Sequence, residues 1–243
     1  MQVHVFVLCY NEEAILPQTV QHYRGRFPGA VITILDNRST DRSAELAVAA
    51  GCRVVQFDSG EQQDERLLRW VRSHLWREHV GAEPSWVIMC DMDEWLDACE
   101  KDLEAEMELG VTILTTQGIN MVGSANAADA SDIQLSEVLM GFLDENFSKR
   151  VCFYYPKVQM EYGWGSHSCD PQGDVVFSSK TYRLKHYDCI GLEFLVEKNR
   201  RRWVRNDASR SIGMNGHYSN ERDEVVERYH RMSSLAVPLT SLP

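Results

Sequence analysis

The chain has 243 residues, of which 44% are apolar and 25% charged, and its formal net charge is −11. This composition is typical of a globular protein with one large core, and we expect a single α/β domain over residues 1–243. The negative charge argues against a nucleic-acid partner, because such affinity comes mainly from cations that neutralise phosphates.

No apolar run reaches the roughly 18 residues of a membrane helix and no signal-peptide layout is present, so we expect no integral membrane segment and a cytoplasmic location. Seven cysteines without a C-x-x-C pair indicate reduced, mostly buried thiols.

Four short apolar runs in the first 100 residues predict strands of a mostly parallel sheet with helices on both faces. These runs are residues 3–9, 31–35, 53–57 and 86–90, and each is followed by polar or acidic residues. Helices are predicted between them at 12–23, 44–50 and 64–79. Ligands bind to such sheets at the carboxyl ends of the strands, so we expect the four polar exits to converge on one edge.

Beyond residue 94 the pattern is less regular. It predicts a helix at 101–109, a strand at 111–116, a loop at 123–131 and further strands at 151–155 and 175–184. Residues 163–170 form a glycine-rich segment, and residues 221–243 are expected to form a C-terminal helix and tail.

The fourth apolar run leads directly into Asp91 and Asp93. Two carboxylates at a strand end offer hard oxygen ligands, which suit Mg²⁺ or Mn²⁺ better than zinc, and a diphosphate would complete the coordination shell. The alternative is a solvated turn. The position directly after a buried strand, with Glu94 following, favours the metal site.

Two other strand exits carry candidate ligand-binding residues. Asp36, after the second run, can accept a hydrogen bond from a ribose hydroxyl or a base N–H, or can serve a local turn or helix cap, a role for which Asp41 is better suited. After the first run, Tyr10 can stack on a base and Glu12 can bond its edge. The alternative for this segment is a helix start at which the dipole favours acidic residues.

Three segments together resemble the family 2 type of glycosyltransferases with the GT-A fold. They are Leu-Cys-Tyr-Asn-Glu-Glu at 8–13, Asp-Asn-Arg-Ser-Thr-Asp-Arg-Ser at 36–43 and Cys-Asp-Met-Asp-Glu-Trp at 90–95. The resemblance implies a nucleoside diphosphate sugar donor and a Mn²⁺ or Mg²⁺ cofactor. It also implies a nucleotide-sugar-binding half at 1–100 and an acceptor-side half at 101–220.

The resemblance further assigns roles to individual residues. Asp36 would contact the nucleoside, and the first loop would line the base. The segment at 91–93 would hold the metal on the donor diphosphate. The donor-binding residues implied in this way are Tyr10, Asn11, Glu12, Asp36, Asp91 and Met92, and the metal would be held by Asp91 and Asp93.

Three histidines are candidates for the same site, because imidazole binds Mn²⁺ and carries charge readily near a diphosphate. His186 and His217 are predicted metal ligands, and His167 lies in a glycine-rich segment that can approach a ligand closely. The alternative for each is an ordinary structural histidine.

The catalytic base is the least determined part of the site, because the usual catalytic acid motif of inverting members is absent from its expected place. Inverting sugar transfer needs a carboxylate base opposite the leaving diphosphate, and the sequence leaves inversion or retention open. The candidates are Glu94, Asp170, Asp188 and Glu193, of which we select Asp170 and Glu193. Residues 198–205 form a dense basic run, which can neutralise a diphosphate but is more often a solvated helix face.

The leading hypothesis is a metal-dependent glycosyltransferase that moves a sugar from a nucleoside diphosphate sugar to a hydroxyl of a glycan or related acceptor. A nucleotidyltransferase is one alternative, although residues 9–13 contain none of the glycines of a phosphate loop. A noncatalytic carbohydrate-binding protein with a decayed transferase site is another. Six tryptophans can stack on sugars, but the retained acidic motif argues against decay.

Overall fold

The first half of the chain folds into alternating strands and helices. The structure, a computed structural model, describes residues 1–125, 133–207, 210 and 218–243. In chain order the elements of the first half are β1 (Gln2–Cys9), α1 (Leu16–Arg26), β2 (Val31–Asp36), α2 (Ser43–Ala49), β3 (Arg53–Gln56), α3 (Glu65–His74) and β4 (Ser85–Asp91). The strands lie side by side in the order β4-β1-β2-β3, and all three pairings are parallel.

The central strand β1 explains why this half is a three-layer structure. Successive side chains of a strand point to opposite faces. Val5 and Val7 belong to a core cluster with residues of α1 and α2, whereas Phe6 and Leu8 belong to a second cluster with residues of α3. The predicted α/β class, with parallel strands covered by helices on both faces, is therefore confirmed.

Helix α1 begins four residues later than predicted, because the preceding residues are tied to the loop after β2. Asn11 has a φ of 54°, and its Oδ1 accepts a hydrogen bond from the Thr40 N–H at 2.7 Å. The Glu12 N–H donates to Ser43 Oγ at 2.9 Å. These contacts hold the exit of β1 in an irregular conformation, so residues 11–13 form a loop at the sheet edge.

The second half adds a mixed extension to the sheet. Its elements are β5 (Glu94–Leu96), α4 (Glu100–Glu108), β6 (Ile113–Val122), β7 (Met140–Leu143), β8 (Cys152–Tyr155), β9 (Val158–Tyr162), β10 (Cys169–Gly173), β11 (Phe177–Cys189), α5 (Leu192–Arg205), α6 (Arg222–Leu235) and β12 (Val237–Pro238). Strand β8 pairs antiparallel with β4 and β6, and β7 and β12 continue antiparallel beyond β6. Strand β11 runs parallel to β6 and antiparallel to β5, while β9 and β10 form a separate hairpin.

Several predicted boundaries differ from the observed ones. Strands β6 and β11 are both longer at their carboxyl ends than predicted, because they pair with each other along most of their length. The predicted helix 64–79 ends at His74 and is followed by a 3-10 turn, Leu75–Glu78. The predicted loop at 123–131 lies partly outside the described residues. The second half is less regular than the first, and a helix spans Arg222–Leu235.

The pairing brings the strand exits together. Leu8 lies opposite Asp91 and Cys9 opposite Asp36, so β1, β2 and β4 end at the same level. Strand β11 places His186 opposite Glu94 at the start of β5. All seven cysteines lie among the described residues and are free thiols. Within the described part of the chain, no helix is long and apolar enough to cross a membrane.

Candidate active site

A cavity of about 220 Å³ lies at the carboxyl edge of the parallel strands. The exits of β1, β2 and β4 form part of its lining, and α5 forms another part. The charged residues of the lining are Glu12, Glu65, Arg72, Asp91, Asp93, Lys149, Asp188, Lys198, Arg201, Arg202, Arg205 and Arg228. Among the described residues, seven cations thus accompany five carboxylates in the lining, although the chain has a net charge of −11. This local excess of positive charge favours an anionic ligand.

Asp91, at the end of β4, lies between two cations. Its Oδ1 accepts a hydrogen bond from Arg72 at 2.8 Å, and its Oδ2 accepts one from Lys149 at 3.2 Å. Lys149 also lies 2.5 Å from Glu94 Oε1, and the other carboxylate oxygen of Glu94 accepts a hydrogen bond from the Asp91 N–H. Burial alone would raise the pKa of the Asp91 carboxyl, but Arg72 and Lys149 outweigh it and hold that pKa below its usual range. Protein cations therefore already engage both Asp91 oxygens.

Asp93 is 3% exposed and contacts a second group of cations. Lys198 Nζ donates a short hydrogen bond to its Oδ2, and the same oxygen lies 3.6 Å from Arg202 Nη2 and 3.6 Å from His186 Nε2. Burial would raise the pKa of the Asp93 carboxyl, but Lys198 and His186 hold it well below its usual range. Asp93 is therefore an ionised acceptor inside the protein.

Asp188, near the end of β11, is the second carboxylate bound to Lys198. Its Oδ1 lies 3.0 Å from Lys198 Nζ and 3.5 Å from Arg202 Nη1, and its Oδ2 accepts a hydrogen bond from Arg228 at 2.9 Å. Against the effect of burial, Lys198, Arg228 and Arg202 hold the pKa of Asp188 below its usual range. Three cations share this one carboxylate.

Helix α5 presents a stripe of cations to the cavity. The members lie at i, i+3, i+4 and i+7, which is one face of a helix, and they are Lys198, Arg201, Arg202 and Arg205. Arg201 donates to the Asn11 carbonyl oxygen, and the Arg205 guanidinium lies 3.4 Å from the centre of the Tyr10 ring. The expectation of a solvated helix face is wrong for this stripe. It holds for Arg200, which is exposed and pairs with Glu197.

The exit of β1 contributes part of the predicted donor-binding set. Tyr10, Glu12 and Met92 line the cavity. Burial raises the pKa of the Glu12 carboxyl, and Lys198 opposes this shift. Among the described residues, Asn11 is not part of the lining, because its side chain is hydrogen-bonded to the loop after β2.

Asp36 is fully buried and serves the turn after β2. Its two carboxylate oxygens lie 3.2 and 3.3 Å from the Ser39 N–H nitrogen, and Gln56 is 3.5 Å from one of them. Asn37, the next residue, lines the cavity, whereas Asp36 is outside the described lining. The contact between Asp36 and a nucleoside stays a prediction, and the observed hydrogen bonds are those of the local turn.

His186 is held in one orientation by the neighbouring strand. Its Nδ1 lies 2.7 Å from Asn120 Oδ1, and Asn120 Nδ2 donates to Asp144 at 2.8 Å, which fixes the Asn120 oxygen as the acceptor. His186 Nδ1 therefore carries a hydrogen, and Nε2 faces Asp93. The Phe147 ring stacks on the His186 ring, and their ring centres are 4.0 Å apart. Nε2 is consequently the nitrogen that can interact with a cation.

The remaining predicted residues are not all brought to the cavity. His167 is exposed and lines it, whereas Asp170 lies on β10 outside the described lining. Glu193 is exposed and forms hydrogen bonds of 2.9 and 2.5 Å with Arg222. The choice of Asp170 and Glu193 as catalytic base stays a prediction that neither position supports. His217 lies outside the described residues.

Sequence reasoning missed three cations of the site, which are Arg72, Lys149 and Arg228. Arg72 is 7% exposed and lies one turn after Leu68 on the buried face of α3, so a charge within an apolar stripe was the available signal. Lys149 is 4% exposed and belongs to no motif. Asp188 was considered only as a base, although its place beside Lys198 makes it part of an ion cluster.

The side chains best placed to hold a divalent ion are Asp93, His186 and Asp188, whose ligand atoms lie within 4.8 Å of one another. Asp91 is not a member of this group in the described part of the chain. Carboxylate oxygens and an imidazole Nε2 suit Mn²⁺. However, the Lys198 ammonium bonds to both carboxylates, and Arg202 and Arg228 add two further cations. As arranged, this group does not fit a divalent ion.

Comparison with known proteins gives partial matches. No family model matches the chain. Protein RfbJ of Shigella flexneri is 35% identical over 52 residues, which is 21% of this chain and 40% of that protein. The match therefore spans less than half of RfbJ.

Among solved structures, S. aureus TarS is similar over 96% of this chain and 43% of its own, with 13% identity and a TM-score of 0.46. A TarS 1-349 complex with UDP is similar over 95% of this chain and 71% of its own, with 13% identity and a TM-score of 0.46. Glucosyl-3-phosphoglycerate synthase from Mycobacterium tuberculosis, in complex with Mn²⁺, UDP and glucosyl-3-phosphoglycerate, is similar over 48% of this chain and 44% of its own. Its identity is 22% and its TM-score 0.32.

Proposed function

We propose that the chain is a glycosyltransferase that transfers a sugar from a nucleoside diphosphate sugar to a hydroxyl of a glycan or related acceptor. The observation that carries the proposal is the cavity at the carboxyl ends of β1, β2 and β4, where seven cations line a site in an acidic protein. The three segments that resemble family 2 glycosyltransferases all lie at these strand exits. A phosphorylated ligand explains both the position of the cavity and its charge.

The cation stripe of α5 suits the donor diphosphate. Guanidinium groups present several N–H donors in a planar fork, which matches phosphate oxygens. Arg201, Arg202 and Arg205 are successive members of this stripe. During transfer the bond between the sugar and the diphosphate breaks, and negative charge grows on the departing phosphate oxygen. Fixed cations in a site of low dielectric stabilise such charge without reorganisation.

The nucleoside part of the donor is assigned to the exit of β1. The Arg205 guanidinium lies over the Tyr10 ring, 3.4 Å from its centre, and both residues line the cavity. A base can stack on such a planar surface. Asn37 and Met92 also line the cavity.

The Mn²⁺ or Mg²⁺ dependence implied by the resemblance is separate from the proposed transfer and stays a prediction. It requires Asp93, His186 and Asp188 to exchange Lys198 for the metal ion, because Lys198 bonds to both carboxylates. A metal held there would act as a Lewis acid on the leaving diphosphate. The cytoplasmic location and the glycan acceptor also stay predictions.

Donor binding and turnover test the proposal. A thermal-shift panel of UDP-, GDP-, CDP- and dTDP-sugars, with excess EDTA or added MnCl₂, should identify one nucleotide that raises the melting temperature. That donor should then release its nucleoside diphosphate when candidate glycans are supplied, as measured by chromatography. Arg202→Ala should remove the shift, whereas Arg200→Ala, on the exposed side of α5, should retain it.

The other outcomes separate the alternatives. Binding of a sugar nucleotide with no release of nucleoside diphosphate for any acceptor would indicate a noncatalytic protein. Formation of a sugar nucleotide and pyrophosphate from a nucleoside triphosphate and a sugar phosphate would indicate a nucleotidyltransferase. The absence of a shift with every donor, with or without metal, would contradict the proposal.

A further inference from the structure

The most unusual feature of the cavity is the side chain of Lys198. It is 1% exposed, and its ammonium group contacts two carboxylates, Asp93 and Asp188, from different strand exits. Its position on α5 brings it to these acids from a part of the chain 105 residues after Asp93. Two buried carboxylates close together would attract a divalent metal ion, and here the Lys198 ammonium occupies the position between them.

We propose that Lys198 is the resident cation of this site, so that the protein binds and uses its donor without a divalent metal ion. This inference rests on the proposed function and deepens it. The ammonium pairs with both Asp93 and Asp188, and the guanidinium groups of Arg201, Arg202 and Arg205 are left to pair with the donor diphosphate. The role usually given to a metal is thereby divided among side chains of one helix.

The first argument is the number of acceptor positions that are already engaged. Asp188 Oδ1 faces Lys198 and Arg202, and its Oδ2 accepts a hydrogen bond from Arg228. Asp93 Oδ2 accepts the short bond from Lys198 and also faces Arg202. A metal ligand must direct a lone pair at the ion, and these oxygens direct theirs at N–H donors.

The second argument is charge. A divalent ion coordinated by Asp93 and Asp188 would enter a site that already contains three cations within 3.6 Å of these carboxylates, namely Lys198, Arg202 and Arg228. Two carboxylates cannot neutralise that total, and at such separations in a buried site the repulsion is only weakly screened. The ion is therefore disfavoured as long as the Lys198 ammonium is present.

The third argument is the helical spacing. Lys198 is the first member of the same i, i+3, i+4, i+7 stripe that supplies the three arginines to the cavity. The Lys198 anchor to Asp93 and Asp188 fixes the rotation of α5, and this rotation keeps Arg201, Arg202 and Arg205 directed at the cavity. One residue thus serves as the local cation and positions the remaining cations.

Metal and ligand binding can be measured separately. Electron paramagnetic resonance of Mn²⁺ titrated into the chelator-treated wild-type protein should detect free Mn²⁺ only. Isothermal titration with UDP, GDP, CDP and dTDP should give, for the nucleotide that binds, the same Kd within about twofold with excess EDTA or with MnCl₂. Lys198→Ala should weaken this binding about tenfold or more in EDTA. The matched control is Arg200→Ala, which should change neither measurement.

Lys198→Ala should also create a metal site. With the ammonium removed, Asp93, His186 and Asp188 retain ligand atoms within 4.8 Å of one another, so the variant should bind Mn²⁺ where the wild type does not. Circular dichroism establishes whether this variant is folded, and Lys198→Gln, which keeps a hydrogen-bond donor but not the charge, provides a second test. The wild-type measurements decide the question alone if neither variant folds.

The two proposals fail in different ways. Mn²⁺ binding by the wild type that is lost in Asp93→Asn, or nucleotide binding that is lost in EDTA and restored by MnCl₂, would overturn the role of Lys198 and leave the proposed function standing. The absence of binding for every nucleotide and sugar nucleotide, with or without metal, would overturn the proposed function and this inference with it.

Discussion

The two halves of the chain contribute opposite charges to the cavity. In the part of the chain that the structure describes, four of the five lining carboxylates come from the first 94 residues, namely Glu12, Glu65, Asp91 and Asp93. Six of the seven lining cations described lie between residues 149 and 228. The halves also differ in how they are built. Parallel β-α units form the first half, and pairings between distant strands form the second. The site therefore depends on long-range contacts far more than the sheet beneath it does.

The largest expected effect comes from removing the Lys198 side chain, which links Asp93 of the first half to Asp188 of the second. Lys198→Met should lower the free energy of unfolding by about 3–5 kcal/mol, because it leaves Asp93 and Asp188 buried without their shared cation. Urea unfolding measures this change. Lys180→Met is the matched control, since Lys180 is 58% exposed and pairs with Asp102 at the surface, so its loss should stay below about 1 kcal/mol. Equal losses of stability in the two variants would show that the buried Lys198 contacts contribute no more than the surface pair of Lys180 and Asp102.

A smaller effect should appear as a pH dependence where His22 of the first half packs against β5 of the second. Burial lowers the pKa of His22 to about 4 from 6.5, where its ring stacks on Trp95 and contacts the Leu96 carbonyl oxygen. The unfolded state then binds the extra proton between pH 6.5 and 4, so stability is full above pH 6.5 and falls as the pH is lowered. The total loss should approach about 3 kcal/mol. Unfolding of His22→Gln should lack this component, and an identical pH profile for the variant and the wild type would contradict the assignment.

Removal of one cavity cation should affect binding more than stability. Arg205→Ala removes the guanidinium that covers Tyr10 and should weaken nucleoside diphosphate binding about tenfold, which corresponds to about 1.4 kcal/mol. Isothermal titration measures the change. Arg200→Ala, on the solvent side of the same helix, should bind normally. A normal Kd for Arg205→Ala would show that this cation does not contact the ligand.

The smallest effect should come from a local contact in the first half. Asp64 caps α3 by accepting hydrogen bonds from the N–H groups of Arg66 at 2.8 Å and Leu67 at 3.3 Å. Asp64→Ala should therefore cost about 1 kcal/mol of stability in urea unfolding, without a change in nucleotide binding. Glu61→Ala, three residues earlier and outside the helix, should change neither quantity. A loss as large as that of Lys198→Met would contradict the contrast between local and long-range contacts.

The sequence predicts the first half well because its signals are local. Continuous apolar runs indicate buried parallel strands, and the polar residues after them indicate which side chains reach the edge. Asp91, Asp93, Tyr10 and Glu12 are accordingly found in the cavity lining. Asp36 satisfies the same pattern but accepts a hydrogen bond from the turn that follows it. A carboxylate at a strand end can bond either to a ligand or to an amide N–H of the next turn, and the sequence pattern does not decide between them.

The second half is harder to predict because its contacts have no local pattern. Lys149 reaches Asp91 across 58 residues from a segment without a motif. The basic run of α5 is visible in the sequence, and its spacing defines a stripe, but only the packing of the helix determines that the stripe faces the cavity. Glu94 belongs to β5, whose antiparallel partner is β11 about 90 residues later, so nothing near Glu94 indicates that it is buried beside Lys149.

The contact between Arg201 and the Asn11 carbonyl joins residues 190 positions apart, and this separation has a consequence for the order of folding. Chains emerge from the ribosome with the N-terminal part first, and contacts between distant residues form slowly. When β1 to β4 have been synthesised, the carboxylates at their exits still face water, because α5 does not yet exist. The sheet can therefore assemble before its acids are covered. The docking of α5 then completes the cavity. A nascent chain that lacks residues 192–205 therefore contains the sheet but not the cations that α5 adds to the cavity.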